Sequence, residues 1–352
     1  RIIRKLKIVV LLGIFVLGFF AISSEASAAD RYWVGGAGNW SDTAHWSDIS
    51  GGSNGFSVPT SSDNVFFTNN SGTGTITINA EANMADLSFS SISAITLSNS
   101  AYNFNVYGNL TLPSSNLTVS FSSTGYLYLR ATTSVNITSN GNTSSWNRIY
   151  MNGVGGAWTN QDDWSTASSY LYLANGTWNT NSKTITLGVF YTEVGTKTLT
   201  LGSSTFNCGG FQNLQNTNFT FNVGTSLVYQ YGSWQFNSGN LTFYNLKISH
   251  PAGTGITVSG SFTVSNDMTF LNASGGVGAL NPNGNITVNG TLYLTGYSRQ
   301  HPLLLASSII GTQRTLTAAN VVAINVDLRD IRGAGTGNWD LSNITGLSGD
   351  AG

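Results

Sequence analysis

The stretch ITVSGSFTV, residues 256–264, constrains the fold more than any other part of the chain. Apolar Ile256, Val258, Phe262 and Val264 fall on every second position, and Thr257, Ser259, Ser261 and Thr263 fill the places between. A period of two marks an extended strand with one buried face. Gly260 sits in the apolar phase, where a missing side chain suits a corner or a close approach of two backbones. The pattern returns as ITVNGTLYL (286–294) around Gly290 and as FNVYGNLTL (104–112) around Gly108. One unit used three times, at distant points in the chain, implies an architecture that repeats a coil.

The middle of the chain extends the same reading. YLYLRAT (126–132), KTITLGVF (183–190), TKTLTLGSSTF (196–206), NFTFNVGTSLVY (218–229) and NLTFYNLKIS (240–249) read as short strands. Asn-Gly, Ser-Gly and Gly-Gly pairs between such strands signal turns. Gly202 and Gly224 stand in similar surroundings, at a separation close to one turn of a solenoid. The expectation is an all-β chain folded as a right-handed parallel β-helix, or β-solenoid, over most of residues 63–331. The alternative is a set of β-sandwich repeats. At about 22 residues per coil and a rise of about 4.8 Å, the rod would be on the order of 70 Å long.

Composition narrows the class. Only 8% of the 352 residues are charged, yet 12% are aromatic, so the chain has apolar material to bury and is not of the disordered type. Gly numbers 41 and Pro only 5, and Ser, Thr and Asn supply the polar filler, which suits strands and tight turns. A single cysteine, Cys208, excludes an internal disulfide framework. The formal charge is −1, and no basic face is on offer for nucleic acid.

The N-terminus reads as a secretory signal peptide over residues 1–28. Arg1, Arg4, Lys5 and Lys7 precede an unbroken apolar run, and Ala26-Ser27-Ala28 supplies small residues for cleavage. The apolar run, residues 8–22, is short for a membrane span. Membrane contact is therefore expected only through this segment before cleavage. Removing residues 1–28 leaves a formal charge of −4. Residues 29–62 are expected to form a Trp/Gly-rich cap and residues 63–352 the solenoid. The chain starts without methionine and ends without a stopping element, so a longer parent protein is expected.

Tryptophans recur in glycine-rich settings. RYWVGGAGNWSDTAHWS (31–47) holds Trp33, Trp40 and Trp46, and GVGGAWTNQDDWS (153–165) holds Trp158 and Trp164 at the same spacing as Trp40 and Trp46. GTGNWD (335–340) is a shorter echo. Trp40, Trp46, Trp158 and Trp164 are the candidate binding residues, as exposed platforms that stack on sugar rings. The competing reading makes the tryptophans aromatic lids over the open end of a core, since indole carries a large apolar area.

Residues 32–36 (YWVGG), 38–41 (GNWS) and 45–47 (HWS), followed by SVPTSSDNVFF (57–67) and GTITINAEANMADLSFS (74–90), carry a family resemblance. The segment resembles the start of passenger regions in secreted proteins with autotransporter-associated β-strand repeats, and related bacterial surface β-helix proteins. The match covers about residues 31–112, with looser matches among the later strands, and departs from the family in showing no C-terminal set of strands able to form a membrane barrel. The resemblance implies a parallel β-helix displayed at the cell surface, adhesive or structural. A polar, weakly charged exterior rich in Ser, Thr and Asn, with aromatics, suits glycans or surface proteins as partners, held by stacking and many weak hydrogen bonds.

Residues able to carry chemistry are sparse. His45, His250 and His301 are far apart in sequence, and His45 is expected to pack within the tryptophan motif. Cys208 reads as a small buried hydrophobe. No nucleophile elbow or phosphate loop is present, and no cofactor or metal is expected. Asp162 and Asp163 are adjacent and read as turn residues, with calcium binding as the alternative. NVDLRDIRG (325–333) gives the one candidate catalytic cluster: Asp327, Arg329 and Asp330, with Arg332 beside them. Strand alternation puts Asp327 and Arg329 on one face and Asp330 on the other, which favours a salt-bridged exterior over a general acid–base pair. The expected function is thus a secreted, non-catalytic, adhesin-like or structural solenoid. The alternatives are a β-helix polysaccharide lyase or hydrolase and a phage tail fibre or spike.

Overall fold

The computed structural model describes residues 28–99, 101–251, 255–276, 278–340 and 342. The expected signal peptide lies almost wholly outside them. Short strands follow one another from Asp30–Trp33 to Ile331–Ala334, with no α-helix among the described residues. Apart from one antiparallel contact, Trp33 opposite Trp46, the described strands pair in parallel with strands about one coil away. This is a β-solenoid of about 12 turns and not a set of sandwiches. At about 4.8 Å per coil the stack rises roughly 58 Å. It is shorter than a uniform coil implies because some coils carry long loops, as where Asp30 pairs with Asn64.

Each coil has three faces. The first face runs through Asn64–Phe67, Leu87–Phe89 and Leu110–Thr111 and continues through the column Val135, Trp158, Trp178, Leu199 and Phe221. The second begins as a separate sheet (Gly38–Asn39, Gly74–Ile78, Ile95–Asn99, Leu117–Phe121) and later runs through Trp164, Ile185, Phe206, Val228, Leu246, Met268 and Leu292. The third runs from Ala82–Met84 and Phe104–Val106 through Leu127–Leu129, then through parts of longer strands that bend around corners. Inward residues of all three faces form one apolar cluster from Trp33 to Ile331. Period-two alternation thus recurs from coil to coil and gives way at corners, and Val258, Phe262, Val264, Val288, Leu292 and Leu294 are all buried.

Glycine makes the corners possible. Gly224 sits directly over Gly202, both with positive φ (56° and 61°), and a Cβ on Gly224 would lie 2.1 Å from the Gly202 carbonyl oxygen. The three recurrent units are corner units, but not copies stacked in register. Phe262 pairs with Ile286, so the second unit continues the face where the first one ends. Asparagine serves the same purpose: Asn116, Asn140, Asn147 and Asn181 have positive φ, and each side-chain amide donates to a backbone carbonyl of another coil. Amides also pair between coils, as in Asn175 to Asn152 (2.8 Å) and Asn266 to Asn245 (2.9 Å).

Candidate functional site: an aromatic side face

On the third face the outward phase is occupied by tyrosine in successive coils. Leu127, Ile149, Leu171 and Phe190 turn inward, so alternation turns Tyr128, Tyr150, Tyr172 and Tyr191 outward in one column. Their rings stack at 5.1, 4.4 and 4.8 Å, the last two pairs within 7° of parallel. Tyr126 extends the column at one end, 5.4 Å from Tyr150. Tyr170 joins it at the other, 6.2 Å from Tyr191 and 5.8 Å from Trp234. These aromatic rings thus form one contiguous array along the side of the rod. Each stacked pair adds on the order of 0.5–1.5 kcal/mol between coils. The rings are half-buried and Trp234 is 45% exposed, so the array also presents aromatic edges and hydroxyls to solvent.

Cations are placed over this surface. The Arg130 guanidinium lies 4.3 Å above the Tyr128 ring, and Arg148 lies 5.4 Å from Tyr126 while donating to its hydroxyl at 3.1 Å. Asn105 accepts from Arg130 and donates to Glu81, which fixes the edge of the array. Burial, the neighbouring Tyr172 phenol and the Glu193 carboxylate push the Tyr150 hydroxyl up to about 12. Burial also raises Tyr128, Tyr172 and Tyr191. These phenols are neutral donors and acceptors at neutral pH.

The tryptophan platforms need correction. Trp40 and Trp46 are fully buried, and Trp158 and Trp164 are 1% exposed, so no indole face among the four is open to a sugar. The cause is strand phase: Trp158 stacks between Val135 and Trp178, and Trp164 pairs with Ile185, all inward positions. Trp33, Trp40 and Trp46 do close the core at the first coil, where His45 stacks on Trp33 at 4.8 Å. Trp158 and Trp164 lie within the rod and are core, not lid.

Asp162, Asp163 and Asp330 are spent on backbone. Asp162 accepts from the Ser139 and Asn140 N–H groups at 2.8 and 2.6 Å, while Asp163 accepts from the Thr184 N–H in another coil. Donors converging on these oxygens make this a clamp between coils and not a cation cage. Asp330 occupies a corner with φ of 54°, is 7% exposed, and accepts from the Gly311 N–H at 3.0 Å. Asp327 and Arg329 share the outer side of the strand Val326–Arg329, as alternation requires. Asp330 therefore lies at a corner, out of the outward phase that Asp327 and Arg329 share.

Sequence reasoning did not find the aromatic array, although its signal was present: Tyr128, Tyr150 and Tyr172 recur at equal intervals. Fold and face together define a β-solenoid with an aromatic side surface. No protein-family model matches the chain, and no match was found among curated proteins or solved structures.

Proposed function

We propose that this chain is an exported, cell-surface β-solenoid that binds glycans or surface proteins through its aromatic side face and catalyses no reaction on them. The observation that carries this reading is the contiguous array from Tyr126 to Trp234 on the outside of the rod. Tyrosine and tryptophan provide large, rigid, amphipathic contact area at low entropic cost, and Arg130 and Arg148 add polar contacts beside them. The basic-then-apolar N-terminus and the resemblance of residues 31–112 to bacterial surface β-helix proteins support export and display. A stacked rod holds such a face along its length and exposes strand edges only at its ends.

The test is to incubate the chain from Ala29 onward with acidic and neutral polysaccharides and to measure both binding and chain shortening. Binding without shortening is expected, weakened roughly tenfold by Tyr150→Ala or Tyr172→Ala, equivalent to about 1.4 kcal/mol. Depolymerisation that disappears in Asp327→Ala or Asp330→Ala would overturn the proposal.

A further inference from the structure

Where the array ends, Trp234 stands between two hollows. One, of about 310 Å³, is lined by Tyr170, Gly188, Val189, Gly209, Tyr231 and Trp234, with Ser168 and Ser233 at its sides. The other, of about 420 Å³, lies between Trp234 and the two glutamines Gln212 and Gln235. Both are at the small end of the range for small-molecule sites, which begins at roughly 300 Å³.

The first hollow is held open by backbone. A Cβ on Gly209 would come within 2.4 Å of the Gly188 carbonyl oxygen, and one on Gly232 within 2.4 Å of that of Gly209. The three glycines therefore make a floor without side chains. Trp234 is seated over a fourth, Gly210, whose Cβ would fall 2.5 Å from that of Trp234. The segment carrying the indole is fixed from below. Buried Gln230 donates to the Trp234 carbonyl and accepts from the Phe211 N–H, and Gln212 donates to the Gln235 carbonyl. The Tyr231 hydroxyl donates to the Leu187 carbonyl at 2.7 Å. An indole this exposed, yet held by buried amides over a floor of glycine, is pre-organised for contact.

We infer that Trp234 and its flanking hollows form a binding site for one ring of a neutral sugar, a pyranose. The lining has no carboxylate, lysine, arginine or histidine, so it offers nothing to compensate an ionic ligand. It does offer an aromatic face for the C–H side of a ring. Ser168, Ser233 and Gln235, all exposed, stand at the edges where hydroxyls would project. The inference rests on the proposed glycan-binding role and adds its ligand class and locus.

The experiment records the Trp234 indole N–H resonance of the folded chain while methyl pyranosides of glucose, galactose and mannose are titrated, with methyl glucuronide as the charged counterpart, and calorimetric titration of the same ligands reads binding in the variants that lack this indole. Trp234→Ala assigns the resonance and Trp234→Phe keeps an aromatic face. Unchanged circular dichroism in both variants establishes that the rod is intact. A saturable shift with at least one neutral pyranoside, binding roughly tenfold weaker for the glucuronide, and loss of binding in Trp234→Ala with partial retention in Trp234→Phe are expected. No shift with any neutral pyranoside, or binding that survives Trp234→Ala, would overturn the inference. Polysaccharide binding that is lost in Tyr150→Ala but untouched in Trp234→Ala would refute this site and leave the proposed function standing. A saturable pyranoside shift at Trp234 without polysaccharide binding would do the reverse.

Discussion

Phe262 is 5% exposed and packs against Phe236 and Phe243 at ring distances of 5.7 and 5.9 Å. Its neighbours are fixed by ladders above and below, so a deleted ring leaves a cavity that cannot collapse. Phe262→Ala is expected to cost about 3–5 kcal/mol, read from equilibrium denaturation. Cys208 is fully buried and burial pushes its thiol up, so it is a core residue. A thiol reagent at about pH 8 should leave it unmodified in the native chain and modify it fully in denaturant. Asp63 gives the residue-scale pH dependence. Burial raises its carboxyl, but hydrogen bonds from the Thr60 N–H and hydroxyl and from the Ala29 N–H outweigh that and hold it below its ordinary value. The folded chain therefore binds a proton at Asp63 less readily than the unfolded chain does. This stabilisation is complete above the unfolded value of about 3.9 and is lost as pH falls through the folded value. The difference in Tm between the parent and Asp63→Asn should be constant above about pH 5 and shrink in more acid solution. In a chain processed after Ala28, as proposed, the donor at Ala29 becomes an ammonium group and the contact an ion pair.

At the scale of the element, corners decide what the sequence can tolerate. Gly141 and Gly224 both have positive φ, but a Cβ on Gly141 meets nothing within 4 Å while one on Gly224 meets the Gly202 carbonyl at 2.1 Å. Gly141→Ala should cost only the left-handed conformation, about 1–2 kcal/mol. Gly224→Ala should cost clearly more, and chemical denaturation of the two variants side by side checks the order. The strands and this corner were legible because alternation and a recurrent glycine spacing are local patterns. Register between coils was less so. The units around Gly108, Gly260 and Gly290 look alike, yet Gly290 lies over Asn266 and Asp267 and not over Gly260. Similar corner chemistry is used at different corners, so resemblance between segments does not state which face they occupy. The tryptophans misled for a related reason. Their glycine-rich surroundings are compatible with exposed platforms, but phase relative to Val135 and Ile185 turns Trp158 and Trp164 inward.

At the scale of the molecule, stacking converts sequence periodicity into a surface. Tyr128, Tyr150 and Tyr172 are one coil apart in the chain and adjacent in space, and the outward phase alone makes them a face. Trp234 was beyond reach of the same reasoning, because it joins the array through a loop seated over Gly210 and not through strand pairing. That neighbouring coils bring these tyrosines together on the outside of the rod is the central claim. Photo-oxidative coupling with a ruthenium sensitiser and persulfate, followed by peptide mass spectrometry, tests it directly. The expected products are intramolecular dityrosine links between Tyr150 and Tyr172 and between Tyr172 and Tyr191, whose rings lie 4.4 and 4.8 Å apart. Their absence, with links found only between molecules or between tyrosines that are not coil neighbours, would contradict both the register and the face built on it.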